Sequence, residues 1–294
     1  MTEFVGFVAL GIMNGAVYSM IALGFVLIAK ATGIFNLAQG ELVILGAYIF
    51  YAFSVQLGLP VWVSALGTCI CAVGLGLLIE RLFMRPLLGQ PLLPLIIVTL
   101  VIGTLLQGGM MMIWGPDTLS LPRLFPTGGV EILGANISYQ HLGFFVAAIV
   151  ITFALILWTR RSRIGVEFMA VADSHLVSRS LGINVKTIIA LAWVISFMVA
   201  AVGGILMTSI TGVHYSGVGI GLRALAVVLI GGLQSLGGVL IAGPLVGVIE
   251  FLTAGYIDPL VGGGFREVAA YVVMIIVLWF RPYGFFGWKE IERV

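Results

Sequence analysis

Residues 140–186 read QHLGFFVAAIVITFALILWTRRSRIGVEFMAVADSHLVSRSLGINVK. Gln140 to Trp158 is an almost unbroken apolar run, close to the roughly 20 residues a helix needs to cross about 30 Å of hydrocarbon. Arg160, Arg161 and Arg163 follow at once, the mark of a span that ends at a cytoplasmic surface. The stretch beyond them is too short and too polar to cross, yet too apolar for a simple linker. It ends at Lys186, where another apolar run begins.

Working outward, the same reading applies along the whole chain of 294 residues. Hydrophobic residues make up 61% and charged residues only 9%, with a mean hydropathy of +1.21. A soluble domain carries about 25% charged residues, so most of this surface is built to avoid water. The expected fold is an all-α integral membrane protein, one domain over residues 1–294. Apolar stretches lie near 5–29, 34–58, 61–83, 92–113, 140–158, 187–210, 238–257 and 264–280. A shorter piece near 221–232, ending in Gly231 and Gly232, reads as a broken or re-entrant helix. That gives a polytopic bundle of eight or nine membrane segments.

Positive charge sets the orientation. With the N-terminus outside and every segment crossing once, eleven basic residues fall inside: Lys30, Arg81, Arg85, Arg160, Arg161, Arg163, Arg179, Lys186, Arg281, Lys289 and Arg293. Only Arg123, Arg223 and Arg266 fall outside. The C-terminus is then cytoplasmic; with eight crossings the N-terminus changes side or one segment re-enters, a choice the sequence leaves open. The N-terminus has no basic region or small-residue cleavage motif, so the first apolar run is expected to remain as a span. Pro116, Pro122, Pro126, Gly128 and Gly129 make residues about 114–139 an irregular external loop, and residues about 159–186 a cytoplasmic one.

Several chemistries find no support. Cys69 and Cys71, two apart on one helix, point different ways and form no local bridge. His141, His175 and His214 are scattered, so neither a metal site nor a catalytic set is expected. No Gly-x-x-x-x-Gly-Lys-Ser/Thr phosphate loop is present, so the chain carries no cofactor and does not hydrolyse ATP. The net charge of +2 is too small to suggest nucleic acid. No internal repeat is apparent, which argues against a stand-alone carrier built from two inverted halves.

The cytoplasmic loop carries its own helix signals. Asp173 or Ser174 can cap a short helix, and Gly182 suits the left-handed residue that ends one. Two helices near 164–172 and 174–181 are expected. Ile164, Phe168 and Val171 share a face, while Val166, Met169, Val177 and Leu181 do not. Apolar residues spread round the axis outside lipid need a cover: a partner, the loop's own helix ends, or the lipid headgroups.

Three blocks carry a resemblance. Gly165 to Asn184, closing on Leu181-Gly182-Ile183-Asn184, resembles the coupling-helix loop of permeases in the branched-chain amino acid (LIV-type) ABC importer family. Ile34-Phe35-Asn36-Leu37-Ala38-Gln39-Gly40-Glu41, continuing to Leu45-Gly46-Ala47-Tyr48, is similar to that family's first block. Gly231 to Gly238, then Gly243-Pro244-Leu245 and Glu250, resembles its late glycine-rich block. The chain departs from the family pattern at Phe168-Met169, Ser178 and Gln234.

The resemblance implies a bacterial inner-membrane permease that pairs with a second, related permease and two cytoplasmic ATPase subunits, which bind ATP and magnesium. It also implies a periplasmic binding protein that delivers a branched-chain or other hydrophobic amino acid; relatives also handle urea, amides and aromatic acids. On this chain it assigns ATPase coupling to Gly165, Glu167, Ala172, Asp173, Arg179, Leu181, Gly182, Ile183 and Asn184. In the membrane, Asn36, Gln39, Glu41, Gln107, Gln234, Ser235 and Glu250 are the substrate-pathway candidates, because polar groups in a span face the bundle or a water path. Helix–helix hydrogen bonding is the competing role. Glu250 is the deepest isolated carboxylate and is expected to face Gln107, Gln234 or Ser235, or to sit protonated. Glu80 with Arg81, and Glu267 with Arg266, read as snorkelling pairs at span ends. Gly11, Gly15, Gly74, Gly76, Gly203 and Gly204 suit close helix packing, and the Gly231–Gly243 cluster suits irregular backbone at a cavity.

Overall fold

The computed structural model describes residues 2–132 and 134–287; Lys289 and Arg293, counted above as cytoplasmic, lie outside them. Among the described residues six helices are long and apolar enough to cross a membrane. They are α1 (Thr2–Thr32), α3 (Val61–Ile79, continued by tighter and wider turns to Leu87), α4 (Leu92–Trp114), α5 (Tyr139–Arg161), α8 (Val185–Thr211) and α10 (Leu236–Tyr256). Shorter apolar helices are α2 (Gln39–Tyr51, extended by a π-turn to Gln56), α9 (Gly219–Gly231) and α12 (Phe265–Phe280). At the ends lie α6 (Arg163–Asp173), α7 (His175–Ser180), α11 (Asp258–Val261) and a hairpin of β1 (Gly129–Ile132) and β2 (Ala135–Ser138). The hairpin corrects the expectation of a wholly irregular loop. Gly134, with φ +84°, turns the chain so that Val130 pairs with Ile137.

α1 and α8 are apolar all round and form the centre, with Tyr18, Met20, Ile21, Trp193 and Phe197 buried. α3, α4 and α5 surround them and turn Ile70, Ile97 and Val150 outward. Lipid is as apolar as leucine, so the helices are held by close packing rather than by expulsion of water. Gly11, Gly15 and Ser19, one helical turn apart on α1, meet Gly247 and Gly243 of the antiparallel α10 with no room for a side chain. There the Ser19 hydroxyl donates to the Val239 carbonyl at 2.7 Å. Gly76 of α3 likewise admits α8 at Val194, and Gly203 sits under Ile21. Gly74 does not share this role: it is exposed and has no neighbour where a Cβ would stand.

The two long connections sit at opposite ends of the bundle. The hairpin packs at the start of α1, Ala135 against Gly6, and Leu119 pairs with Val213 just beyond α8. At the other end His175 Nε2 donates to the Ala31 carbonyl at 2.8 Å, holding α7 against the finish of α1. Between these ends runs a helix of 31 residues, about 45 Å long.

The structure overturns the expectation of no repeat. α1 ends in Thr32-Gly33-Ile34, the chain runs irregularly to residue 38, and the 13-residue α2 begins. α8 ends in Thr211-Gly212-Val213, the chain runs on through a short 3-10 turn, and the 13-residue α9 begins. Both glycines are left-handed, φ +72° at Gly33 and +81° at Gly212, and both threonines bond back to the carbonyl four residues earlier. α1 runs from the hairpin end to the α6–α7 end, and α8 runs the reverse, so the two units are inverted. Their neighbours correspond: α10 packs on α1 as α3 packs on α8, and α4 lies beside α2 as α12 lies beside α9. The interrupted helices meet at Gly40 and Gly221, backbone on backbone.

The interruptions are therefore at 33–38 and 212–218, not at Gly231–Gly243. Gly232, with φ +101°, starts a tight turn to Ser235, whose hydroxyl accepts from Gly238 N–H at 2.9 Å to cap α10. That turn lies at the α6–α7 end, where Phe285 N–H donates to the Ile230 carbonyl at 2.8 Å.

Candidate functional site

Serine and asparagine caps build the α6–α7 end. Ser162 Oγ accepts from Gly165 N–H at 2.9 Å, Ser174 Oγ from Val177 N–H at 3.3 Å, and Asn184 Oδ1 from Thr187 N–H at 3.3 Å. Asp173 is the last residue of α6 rather than a cap; Ser174 takes that place. Gly182, with φ +81°, closes α7, and Ile183 N–H donates back to the Ser178 carbonyl. Each helix is only two or three turns long, and these local bonds satisfy the backbone groups left open at the termini.

The loop has an inner, buried face and an outer, exposed one. Gly165, Phe168 and Val171 are buried, with Gly165 against the Trp158 and Thr159 backbone. Ile164, expected beside Phe168, is instead exposed. Val166, Leu176, Val177 and Leu181 stand outward, Leu176 at 82% and Leu181 at 71% exposure. Arg179 is also exposed, Ala172 and Ile183 are half-buried, and Glu167 pairs loosely with Arg163 at 3.6 Å.

Inside the bundle, Asn36 and Gln39 are fully buried and fully used. Asn36 Nδ2 donates to Gln39 Oε1 at 3.0 Å, Ser196 Oγ donates to the same oxygen at 3.1 Å, and Ala38 N–H donates to Asn36 Oδ1 at 3.2 Å. Leu37 N–H donates to Thr99 Oγ1 at 3.2 Å. The network satisfies the broken backbone at 33–38 near the middle of α8, which is the helix–helix role. Glu41 differs: half-buried, its carboxylate lies against Gly103 of α4, where a Cβ would stand 3.0 Å away. It borders a small cavity of about 80 Å³ between α2 and α9, with Leu37, Val218 and Leu222.

Glu250 does not face Gln107, Gln234 or Ser235. Gln107 lies on α4, Gln234 is exposed in the α9–α10 turn, and Ser235 caps α10. Glu250 is instead fully buried between two arginines, Arg223 Nε at 3.2 Å and Arg266 Nε at 3.4 Å from its Oε1. The charges pair, but no hydrogen bond forms: both carboxylate oxygens and Arg266 Nε are without a partner among the described residues, as is the buried Tyr18 hydroxyl. Glu267 reaches Arg223 Nη2 at 4.0 Å from an exposed position, and the Arg266 guanidinium lies 4.5 Å over the Phe251 ring. Tyr18, Arg223, Phe251, Arg266 and Glu267, but not Glu250 itself, line a cleft of about 500 Å³ on the hairpin side, together with Asn14 and His141. Arg266 is therefore no snorkelling partner of Glu267, nor is Arg81 the partner of Glu80. Glu80 is buried and bound bidentately by Arg85 at 3.0 and 2.9 Å.

Arg223, Arg266 and Tyr18 were not among the candidates drawn from sequence. The available signal is Glu250 itself: a carboxylate so deep in an apolar helix needs a cation, and Arg223 lies inside the short apolar piece near 221–232.

Comparison with known proteins agrees with the three-block resemblance. The family described as the permease component of branched-chain amino acid transport systems matches residues 7–280. The high-affinity branched-chain amino acid transport system permease protein BraD of Pseudomonas aeruginosa is 33% identical, over 97% of this chain and 96% of its own. LivH of Escherichia coli K12 is 28% identical over the same shares. A probable LivH of Methanocaldococcus jannaschii is 28% identical over 96% and 95%. The chain belongs to this permease family, as a multi-pass membrane protein.

Proposed function

We propose that the chain is one membrane subunit of an ATP-driven ABC importer for branched-chain or other hydrophobic amino acids, seated in the bacterial inner membrane. In this reading it pairs with a second, related permease, receives solute from a periplasmic binding protein, and performs no chemistry itself. ATP and magnesium are held by two cytoplasmic ATPase subunits. The nine apolar segments, counting the interrupted 33–56 and 212–231 as crossings, then put the hairpin outside and α6–α7 in the cytosol.

The observation that carries this reading is the two-faced α6–α7 unit. Its inner face is locked to the helix ends through Phe168, Val171 and the His175–Ala31 bond, and its outer face is uncovered at Leu176 and Leu181. A free-energy change at one site moves a distant one only through an element that both bias, and a rigid pair with an open apolar face can serve as that element. Leu181→Asp is expected to abolish solute-stimulated ATP hydrolysis by the reconstituted assembly while membrane insertion stays normal. Normal stimulation would remove the coupling role. The inverted repeat with interrupted helices is also how stand-alone carriers are built; leucine uptake into liposomes holding this chain without an ATPase would select that alternative.

A further inference from the structure

We infer that the cleft flanked by Arg223 and Arg266 binds a small zwitterion, an α-amino acid, with its carboxylate at the two guanidinium groups. The inference rests on the import of amino acids proposed above and names the site within this chain. Two half-buried arginines face a single fully buried carboxylate in this cluster, Glu250, so one positive charge is left over there. Glu267 answers it only from the rim, 76% exposed and at 4.0 Å, the outer limit of an ion pair. Such an exposed contact is weak and exchangeable. An incoming carboxylate displaces it and takes its place at Arg223 Nη2, beside the Arg266 guanidinium on the same cleft wall.

The remaining groups suit the other end of a zwitterion. Glu267, once released, offers a carboxylate to an ammonium group. Asn14 donates its amide nitrogen to the Leu10 carbonyl at 2.9 Å, which leaves its oxygen as a second acceptor. Met207, Ile210 and Ile220 supply an apolar wall, and the cleft volume of about 500 Å³ admits a side chain of leucine size. Small-molecule sites have this make-up, an apolar lining with a few convergent polar groups. A free ammonium ligand is disfavoured, since Glu250 is already enclosed by cations.

The test uses the full chain in lipid nanodiscs, with binding of millimolar leucine read by saturation-transfer NMR. Arg266→Gln is expected to weaken leucine binding about tenfold or more, as loss of a charged hydrogen bond does, with partial recovery in Arg266→Lys. Leucine amide, which lacks the carboxylate, and 4-methylpentanoate, which lacks the amine, should each compete about tenfold less well than leucine. Glu267→Gln keeps both Glu250 pairs and should abolish the preference for leucine over 4-methylpentanoate. Unchanged binding in Arg266→Gln, or equal competition by leucine amide, overturns the site. Leucine uptake by the complete importer separates the two readings. Uptake that is normal in both wild type and Arg266→Gln removes the site and keeps the function. No uptake by wild type, with leucine still bound, does the reverse.

Discussion

The half of the chain from α1 to α4 and the half from α8 to α12 follow the same course in opposite directions, yet they carry their deep charges differently. In the first half the carboxylate of Glu41, the residue after Gly40, rests against a glycine of α4 and has no cation beside it among the described residues. In the second half Arg223, two residues after Gly221, is drawn into a triad with Glu250 and Arg266 that ties α9, α10 and α12 together. Backbone breaks, glycine contacts and helix order are repeated, because inverted units must satisfy the same packing and hydrogen-bonding needs. Charges are not repeated: the wide cleft carries the arginines of the second half, while the first half gives it only the uncharged Asn14 and Tyr18. The lesson is that the repeat supplies a frame, and departures from it mark where the two sides of the membrane protein do different work.

The largest expected effect tests that division. Arg223→Leu leaves Glu250 fully buried with one partner, and breaking a buried pair costs about 3–5 kcal/mol. Glu41→Gln removes no ion pair and should cost less than about 1 kcal/mol. Thermal unfolding of the purified protein in detergent gives both values, and equal losses would dissolve the contrast. Next come the glycines where the halves touch. Gly40→Val and Gly221→Val each force backbone apart and should each destabilise by about 1–3 kcal/mol, as overpacking does. Melting shifts that differ widely between the two would show that the junction is not shared equally. A smaller effect belongs to the first break: Ser196→Ala removes one hydrogen bond to Gln39 Oε1, which still accepts from Asn36, and should lower stability by about 1 kcal/mol. No loss at all would mean that the network at 33–38 does not support the start of α2.

How far the sequence reached can be traced residue by residue. The helical membrane class, the positions of the long spans and the two short loop helices follow from apolar runs, arginine placement and capping residues, all of them local signals. Asn36 and Gln39 were recognised as special but not resolved between pathway and packing, since that depends on Ser196, 157 residues away. The depth of Glu250 is legible in the sequence, but its partners are not, because both arginines lie on other helices, α9 and α12. The repeat went unseen since only Thr-Gly with a β-branched residue is shared at the two breaks. Those positions must end a helix with a left-handed residue, while the lipid-facing helix positions accept almost any apolar side chain.

The sequence alone determined that this chain lives in a bilayer, to which family it belongs and where a short capped unit interrupts its spans. These rest on composition and on spacings of a few residues, which the chain carries wherever it folds. Tertiary structure alone decided that Tyr18, Arg223 and Arg266 share one cleft with Glu250 paired to both arginines, that two broken helices meet at Gly40 and Gly221, and which face of α6–α7 stays open. Such pairings join residues far apart in the chain, and in lipid it is shape and unsatisfied polar groups, not hydropathy, that choose among the ways apolar helices can pack.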